Sequence, residues 1–170
     1  MSQAAPFIVT AELPVDMASW ATQLRTENYP PERNFLKAHV TMFHALPPSA
    51  EGEIKRALAS EAAENAPVEA MLDGVMPLGK GTALKLSSDG MIEIWNRLAD
   101  RFFGLLTPQD EHRPRLHVTI QNKVSIEEAR ALQHQLELQI EPRPFNFIGL
   151  GLHIYRGGPW QFERSYPFRG

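Results

Sequence analysis

The chain has 170 residues, room for one domain of ordinary size or two small lobes on a shared core, and 43% of them are hydrophobic, which excludes a disordered chain. The absence of cysteine excludes disulfides, thiolate nucleophiles and cysteine zinc sites. A formal net charge of -3 supplies no basic excess for gripping long nucleic acid by its phosphates, so small substrates or short ends are favoured over an extended nucleic-acid surface.

The amino terminus, MSQAAPFIVT, has no basic segment ahead of a long apolar run, and no apolar segment reaches membrane-spanning length. A cytoplasmic protein without membrane contact is expected. Residues 7–13 (FIVTAEL) are β-branched and apolar and stop at Pro14, as a strand does. Met17, Trp20, Ala21 and Leu24 then fall at helical spacing, with Asp16 as the expected N-cap, and NYPPERN ends that helix. Residues 35–43 (FLKAHVTMF) alternate like a strand, and residues 49–66 form a second helix despite Gly52 in its first turn. VEAMLDGVMPL and TALKLSS read as strands joined by the tight turn Gly79-Lys80-Gly81.

The order then recurs. Residues 89–106 place Ile92, Trp95, Leu98, Ala99 and Phe102 on one helical face, and RLHVTIQ (115–121) is again a strand. Ser125 and Glu128 have capping-box spacing ahead of a helix reaching about Ile140. FNFIGLGLHIY (145–155) and WQFERSYPF (160–168) read as two closing strands around the turn RGGP. Matching elements sit at a roughly constant offset of about 76 to 79 residues, the mark of an internal duplication with units at 7–81 and 82–168. Two copies are too few for a solenoid. A single bilobal domain is expected, its pseudo-symmetric lobes presenting the matching strands across a shared cleft.

His-Val-Thr occurs in both of those strands. Side chains alternate along a strand, so Leu36, Ala38, Val40 and Met42 share an apolar face in the first copy, as do Leu116, Val118 and Ile120 in the second. The opposite faces carry Phe35, Lys37, His39, Thr41 and Phe43, and Arg115, His117, Thr119 and Gln121. One such His-x-Thr is most often a half-exposed polar face; two in equivalent places form a paired site. The chemistry it suits is phosphate transfer, with one imidazole taking a proton from the nucleophile while the other gives one to the leaving oxygen. The threonine hydroxyls can donate to the non-bridging oxygens. No metal or cofactor is required.

These residues resemble the 2H phosphoesterases, and within them the bacterial 2'-5' RNA ligase family. PERNFLKAHVTMFHALP is similar to that branch's first motif, HVTIQNKV to its second and YRGGPWQFERSYPF to its carboxy-terminal end. The resemblance implies an α+β fold of two lobes, each an antiparallel sheet backed by helices, with an active-site cleft between them. It implies metal-independent chemistry on 2',3'-cyclic phosphates or 2'-5' phosphodiesters of small nucleotides or short RNA ends, with reversible 2'-5' ligation as the reverse reaction. The catalytic histidines carry over to His39 and His117, and the phosphate-holding hydroxyls to Thr41 and Thr119. In related cyclic phosphodiesterases the first histidine is the acid, so His39 would protonate the leaving O3' and His117 would activate water; cutting the other ester bond swaps the roles.

Further substrate contacts are expected from Phe43, by stacking on a base, from Lys37 and Arg115, two residues before each histidine, and from Tyr155. Against them stand plainer readings: Phe43 closing the cleft wall, Lys37 and Arg115 reaching solvent, and Trp160 packing in the core. His153 shares a strand face with Tyr155, whereas parity sets His44 opposite His39. The duplicated lobes supply their own symmetry, so a monomer is expected. A cleft that binds nucleotides without turnover is a second reading. A metallohydrolase is a third, weakened because neither strand offers a carboxylate beside its histidine.

Overall fold

The structure is a computed structural model and describes residues 4–170. The elements run β1 (Phe7–Glu12), α1 (Val15–Asn28), β2 (Val40–Leu46), α2 (Glu51–Glu64), β3 (Val68–Pro77), β4 (Thr82–Ser87) and α3 (Asp89–Arg101). They continue with β5 (His117–Gln121), α4 (Ile126–Gln139), β6 (Arg143–Phe147), β7 (Gly149–Tyr155) and β8 (Trp160–Pro167). Two four-stranded sheets result, in the orders β2-β1-β7-β8 and β5-β4-β3-β6, and every pairing is antiparallel. This is the expected α+β bilobal fold, with β1 and β2 of the first sheet answering to β4 and β5 of the second.

The sheets do not follow the boundary between the repeated sequence units. β3, from the first unit, lies in the second sheet, and β7 and β8 complete the first. The helices are exchanged in the same way: α1 packs on β5, α4 on β3 and β4, and α2 on β7 and β8, while α3 lies against α2 and β3. Each His-Val-Thr strand is thereby held by a helix of the other unit. Arg25 on α1 donates from Nη1 to the Thr119 carbonyl of β5 at 2.9 Å, and Trp95 on α3 donates from Nε1 to the Met42 carbonyl of β2 at 3.1 Å. Both strands lie at the edge of their sheets, where such carbonyls have no ladder partner.

Local chemistry sets the ends of these elements. Ser88 and Ser125 cap α3 and α4 by accepting from Met91 N–H and Glu128 N–H. The N-cap of α1 is Pro14 instead of the expected Asp16, which lies one position inside the helix and accepts from the Met17 N–H. The run 145–155, read as one strand, is two strands in different sheets. At Ile148 the chain crosses over, donating its N–H to the Glu12 carbonyl and accepting at its own carbonyl from Phe168. Pairing in the other run, 35–43, starts only at Val40.

A further departure lies within β2. Val9 is opposite Phe43 but Thr10 is opposite Thr41, so one extra residue bulges out at Met42. A bulge resets the two-residue period, and both Met42 and Phe43 turn into the core, where Phe43 stacks on Trp95 at 5.6 Å and meets Phe102 edge-on at 5.6 Å. Full burial of side chains of this size stabilises by roughly 1.5–3 kcal/mol each. The parity that set His44 opposite His39 is void beyond this point. Asp110, buried in the connection after α3, accepts from the backbone N–H of His44 and Ala45 at 2.8 to 2.9 Å and bonds the His44 ring at 3.0 Å. Its burial favours the neutral acid, but the bonds from His44 and Ala45 outweigh it and hold the carboxyl below its usual range.

Candidate active site

The two His-Val-Thr segments adopt the same local arrangement. The His39 Nδ1–H donates to the carbonyl of Lys37 at 2.8 Å, and the His117 Nδ1–H donates to the carbonyl of Arg115. In each case the acceptor lies two residues back along the extended backbone. An Nδ1 committed in this way leaves Nε2 as the working nitrogen, bare when the ring is neutral and a donor when it is protonated. Val40 and Val118 are fully buried behind the histidines, whereas His39, Thr41, His117 and Thr119 are all partly exposed on the other face. Among the described residues neither threonine hydroxyl is engaged by another side chain, so both are available to a ligand.

β2 and β5 come together where the sheets meet. The histidines are close enough that a proton on His117 opposes one on His39. Burial is the largest influence on the His39 ring and, with smaller contributions from Arg25, His153 and His117, takes it down to about 4 despite the favourable bond to Lys37. In the unliganded protein near neutrality His39 is therefore an uncharged imidazole.

A floor of further side chains surrounds His39. Trp160, at the start of β8, lies 4.5 Å from the His39 ring and 5.4 Å from that of His153. The His153 Nε2 and the Thr10 Oγ1 share a hydrogen bond of 3.2 Å, and burial lowers the His153 pKa. Thr10 is directly opposite Thr41 on one side and Gly151 on the other. A Cβ at Gly151 would stand 2.6 Å from Thr10 Oγ1 and 3.1 Å from His153 Nε2. Only glycine there lets the His153 ring lie down onto the sheet.

The structure leaves the four central residues partly exposed and turns one of the other candidates into the core. Phe43 is 0% exposed and contributes to the core, not to a base contact. Lys37 is exposed in a groove beside α1 with Thr22, Gln23 and Ala38, and Arg115 lies in another groove with Lys85, Ser87 and Asp89. Tyr155 is 42% exposed at the end of β7, opposite Trp160. Trp160 is partly exposed and flanks His39 instead of packing in the core.

Sequence reading missed Arg25, whose position on α1 gave no sign that the helix packs on the other unit's strand. Lys85 was missed too. It pairs with His117 across β4 and β5 and shares its face, which the hairpin register would have signalled. Among the described residues no three His, Asp or Glu side chains gather as a metal site would require, and no helix is long and apolar enough to cross a membrane.

The model of the 2'-5' RNA ligase superfamily matches residues 13–159. The TT0787 protein of Thermus thermophilus superposes with a TM-score of 0.65 at 13% identity, over 97% of this chain and 98% of that one. Escherichia coli LigT complexed with 3'-AMP gives 0.63 at 15% identity, over 99% and 100%, and LigT complexed with NADP+ gives 0.61 at 14% identity over the same shares. At these identities the structural likeness establishes the fold. No curated protein sequence matches. The chain belongs to the 2'-5' RNA ligase superfamily, on the strength of the family match over most of its length.

Proposed function

We propose that this member of the 2'-5' RNA ligase superfamily is a metal-independent phosphoesterase that opens 2',3'-cyclic phosphates, or cleaves 2'-5' phosphodiesters, of small nucleotides or short RNA ends. The observation that carries the reading is the matched pair of imidazoles. His39, one residue before β2, and His117, at the start of β5, hold equivalent places in the two motifs, each locked through Nδ1 by the carbonyl two residues back, and a proton on His117 opposes one on His39. The LigT complex with 3'-AMP supports the size of the substrate, since the same fold accommodates a nucleoside monophosphate there.

In this scheme the phosphate lies between the rings and takes hydrogen bonds from Thr41 and Thr119, which stabilise the charge that grows on its non-bridging oxygens. His117 removes a proton from water, and His39 donates one to the leaving O3'. His39 starts near 4 in the free protein, so it must take up a proton from solvent as the substrate binds, the negative charge of the phosphate favouring the imidazolium. Ligation, in which a 5'-hydroxyl opens the cyclic phosphate, is the reverse of 2'-5' cleavage and would use the same groups. A monomer completes the site, because both motifs belong to one chain.

The test is turnover of the four 2',3'-cyclic nucleotides in EDTA, with 2'- and 3'-monophosphate products separated, for the wild type, His39→Ala, His117→Ala and the double variant. Conversion that survives the chelator and is lost in each single variant is expected, with the 2'-phosphate as product. Loss of activity in EDTA would overturn metal independence. Binding without conversion, for cyclic and 2'-5'-linked substrates alike, would make the cleft a nucleotide-binding site.

A further inference from the structure

Arg25 is a buried cation beside the paired motifs. Only 3% of its surface is exposed, yet every partner it has among the described residues is neutral: Nε donates to Asn34 Oδ1 at 2.8 Å, Nη1 donates to the Thr119 carbonyl at 2.9 Å, and the Tyr29 ring lies 4.1 Å from its central carbon. Among the described residues no carboxylate stands within ion-pair distance of it. A guanidinium carries five N–H donors, and those two oxygens take two. Burying a charge without a counter-charge is costly, and Arg25 itself is held below its usual pKa by that burial.

Holding the edge of a catalytic strand does not explain the charge. In the other half of the molecule the same task, capping an edge carbonyl of β2, is performed by the neutral indole of Trp95. The guanidinium also stands near enough to His39 to oppose its protonation. The feature that separates Arg25 from its counterpart is a fixed positive charge, placed beside the strand that carries Thr119.

We infer that Arg25 is a phosphate-anchoring residue whose missing counter-charge is the phosphate of the substrate. The inference rests on the phosphoesterase reading of the site and adds to it an electrostatic partner supplied by the helix that exchanges between the repeated units. Bound phosphate would neutralise Arg25 and at the same time relieve the repulsion that Arg25 exerts on a protonated His39. One ligand charge would thus secure both the anchor and the acid.

The experiment measures binding of inorganic phosphate by calorimetry to the full chain and to Arg25→Gln and Arg25→Lys. Glutamine keeps a donor for the Thr119 carbonyl and removes the charge, whereas lysine keeps the charge. Arg25→Gln should bind phosphate at least tenfold more weakly, and Arg25→Lys should recover most of the loss. A folded Arg25→Gln that binds like the wild type overturns the inference and leaves Arg25 a structural cap. If Arg25→Gln does not fold, the guanidinium proton resonances of the wild type decide: they shift during a phosphate titration if Arg25 is an anchor and stay fixed if it is not. Failure of the wild type itself to bind phosphate or a nucleoside monophosphate would instead overturn the reading of the site.

Discussion

The His39 ring offers the most direct check on the electrostatics of the site. Its pKa of about 4 in the free protein compares with 6.5 for an unperturbed histidine. Between those values the unfolded chain binds a proton that the folded protein refuses. Stability is therefore whole above pH 6.5 and is lost as the pH falls toward 4, by up to about 3 kcal/mol at 1.36 kcal/mol per unit. His39→Gln removes the titrating group and should lack this part of the acid destabilisation. The depressed pKa of His153 acts in the same direction but remains in both proteins, so the difference between the two isolates His39. Urea unfolding of both at intervals from pH 4 to 7.5 gives the stability difference, and a proton NMR titration of the ring with and without inorganic phosphate gives the pKa itself. A free-protein ring titrating at 6.5 or above, or parallel stability curves, would refute the desolvation argument. A ring that does not move upward with phosphate would refute the acid role of His39 and exchange it with His117.

Three further perturbations separate catalysis from architecture. Gly151→Ala drives a methyl group into Thr10 and His153 and should lower kcat/KM on the preferred substrate by about tenfold while the circular dichroism spectrum is retained; unchanged activity would show that His153 and its support are not part of the site. Phe43→Ala should cost about 3–5 kcal/mol in urea unfolding and leave KM alone, whereas a base-stacking phenylalanine would show the opposite pattern. Asp110→Ala strips the acceptors from the His44 and Ala45 N–H groups and should cost about 2–4 kcal/mol; a loss under about 0.5 kcal/mol, the range of an ordinary surface substitution, would mean that the end of β2 does not depend on that carboxylate.

The pairing of the two motifs was legible because it depends only on local alternation and on a repeated order of elements. The alternation held from His39 to Thr41 and from His117 to Thr119. It failed one residue later, at the Met42 bulge, because a bulge is specified by the ladder partner on β1 and not by β2's own residues. The division of residues 145–155 was hidden for a related reason. Its apolar run fits one buried strand, and the crossover at Ile148 is fixed by Glu12 and Phe168, which are far away in sequence. Arg25 marks the limit most sharply. On a helix it looks like an ordinary solvent-facing basic residue, and only the packing of α1 on β5 buries it beside the second motif.

On the proposed phosphoesterase reading, the departures from symmetry have a chemical reason. A phosphodiester has two chemically different ends, and a site of perfect two-fold symmetry would bind it equally well in either direction. The four motif residues keep the symmetry, as in-line displacement between two proton-transfer groups would require. The neighbouring strands break it. Lys85 on β4 pairs with His117, whereas the equivalent place on β1, one step beyond the Ala11–Val40 pair, is filled by Glu12, whose carboxyl is pushed up by burial against a bond from Ser165. Trp160 and His153 stand only on the His39 side, and the capping donor is charged only on the Thr119 side. In the proposed reaction, a symmetric pair in an asymmetric frame would give each histidine one end of the substrate, and with it one of the two proton transfers.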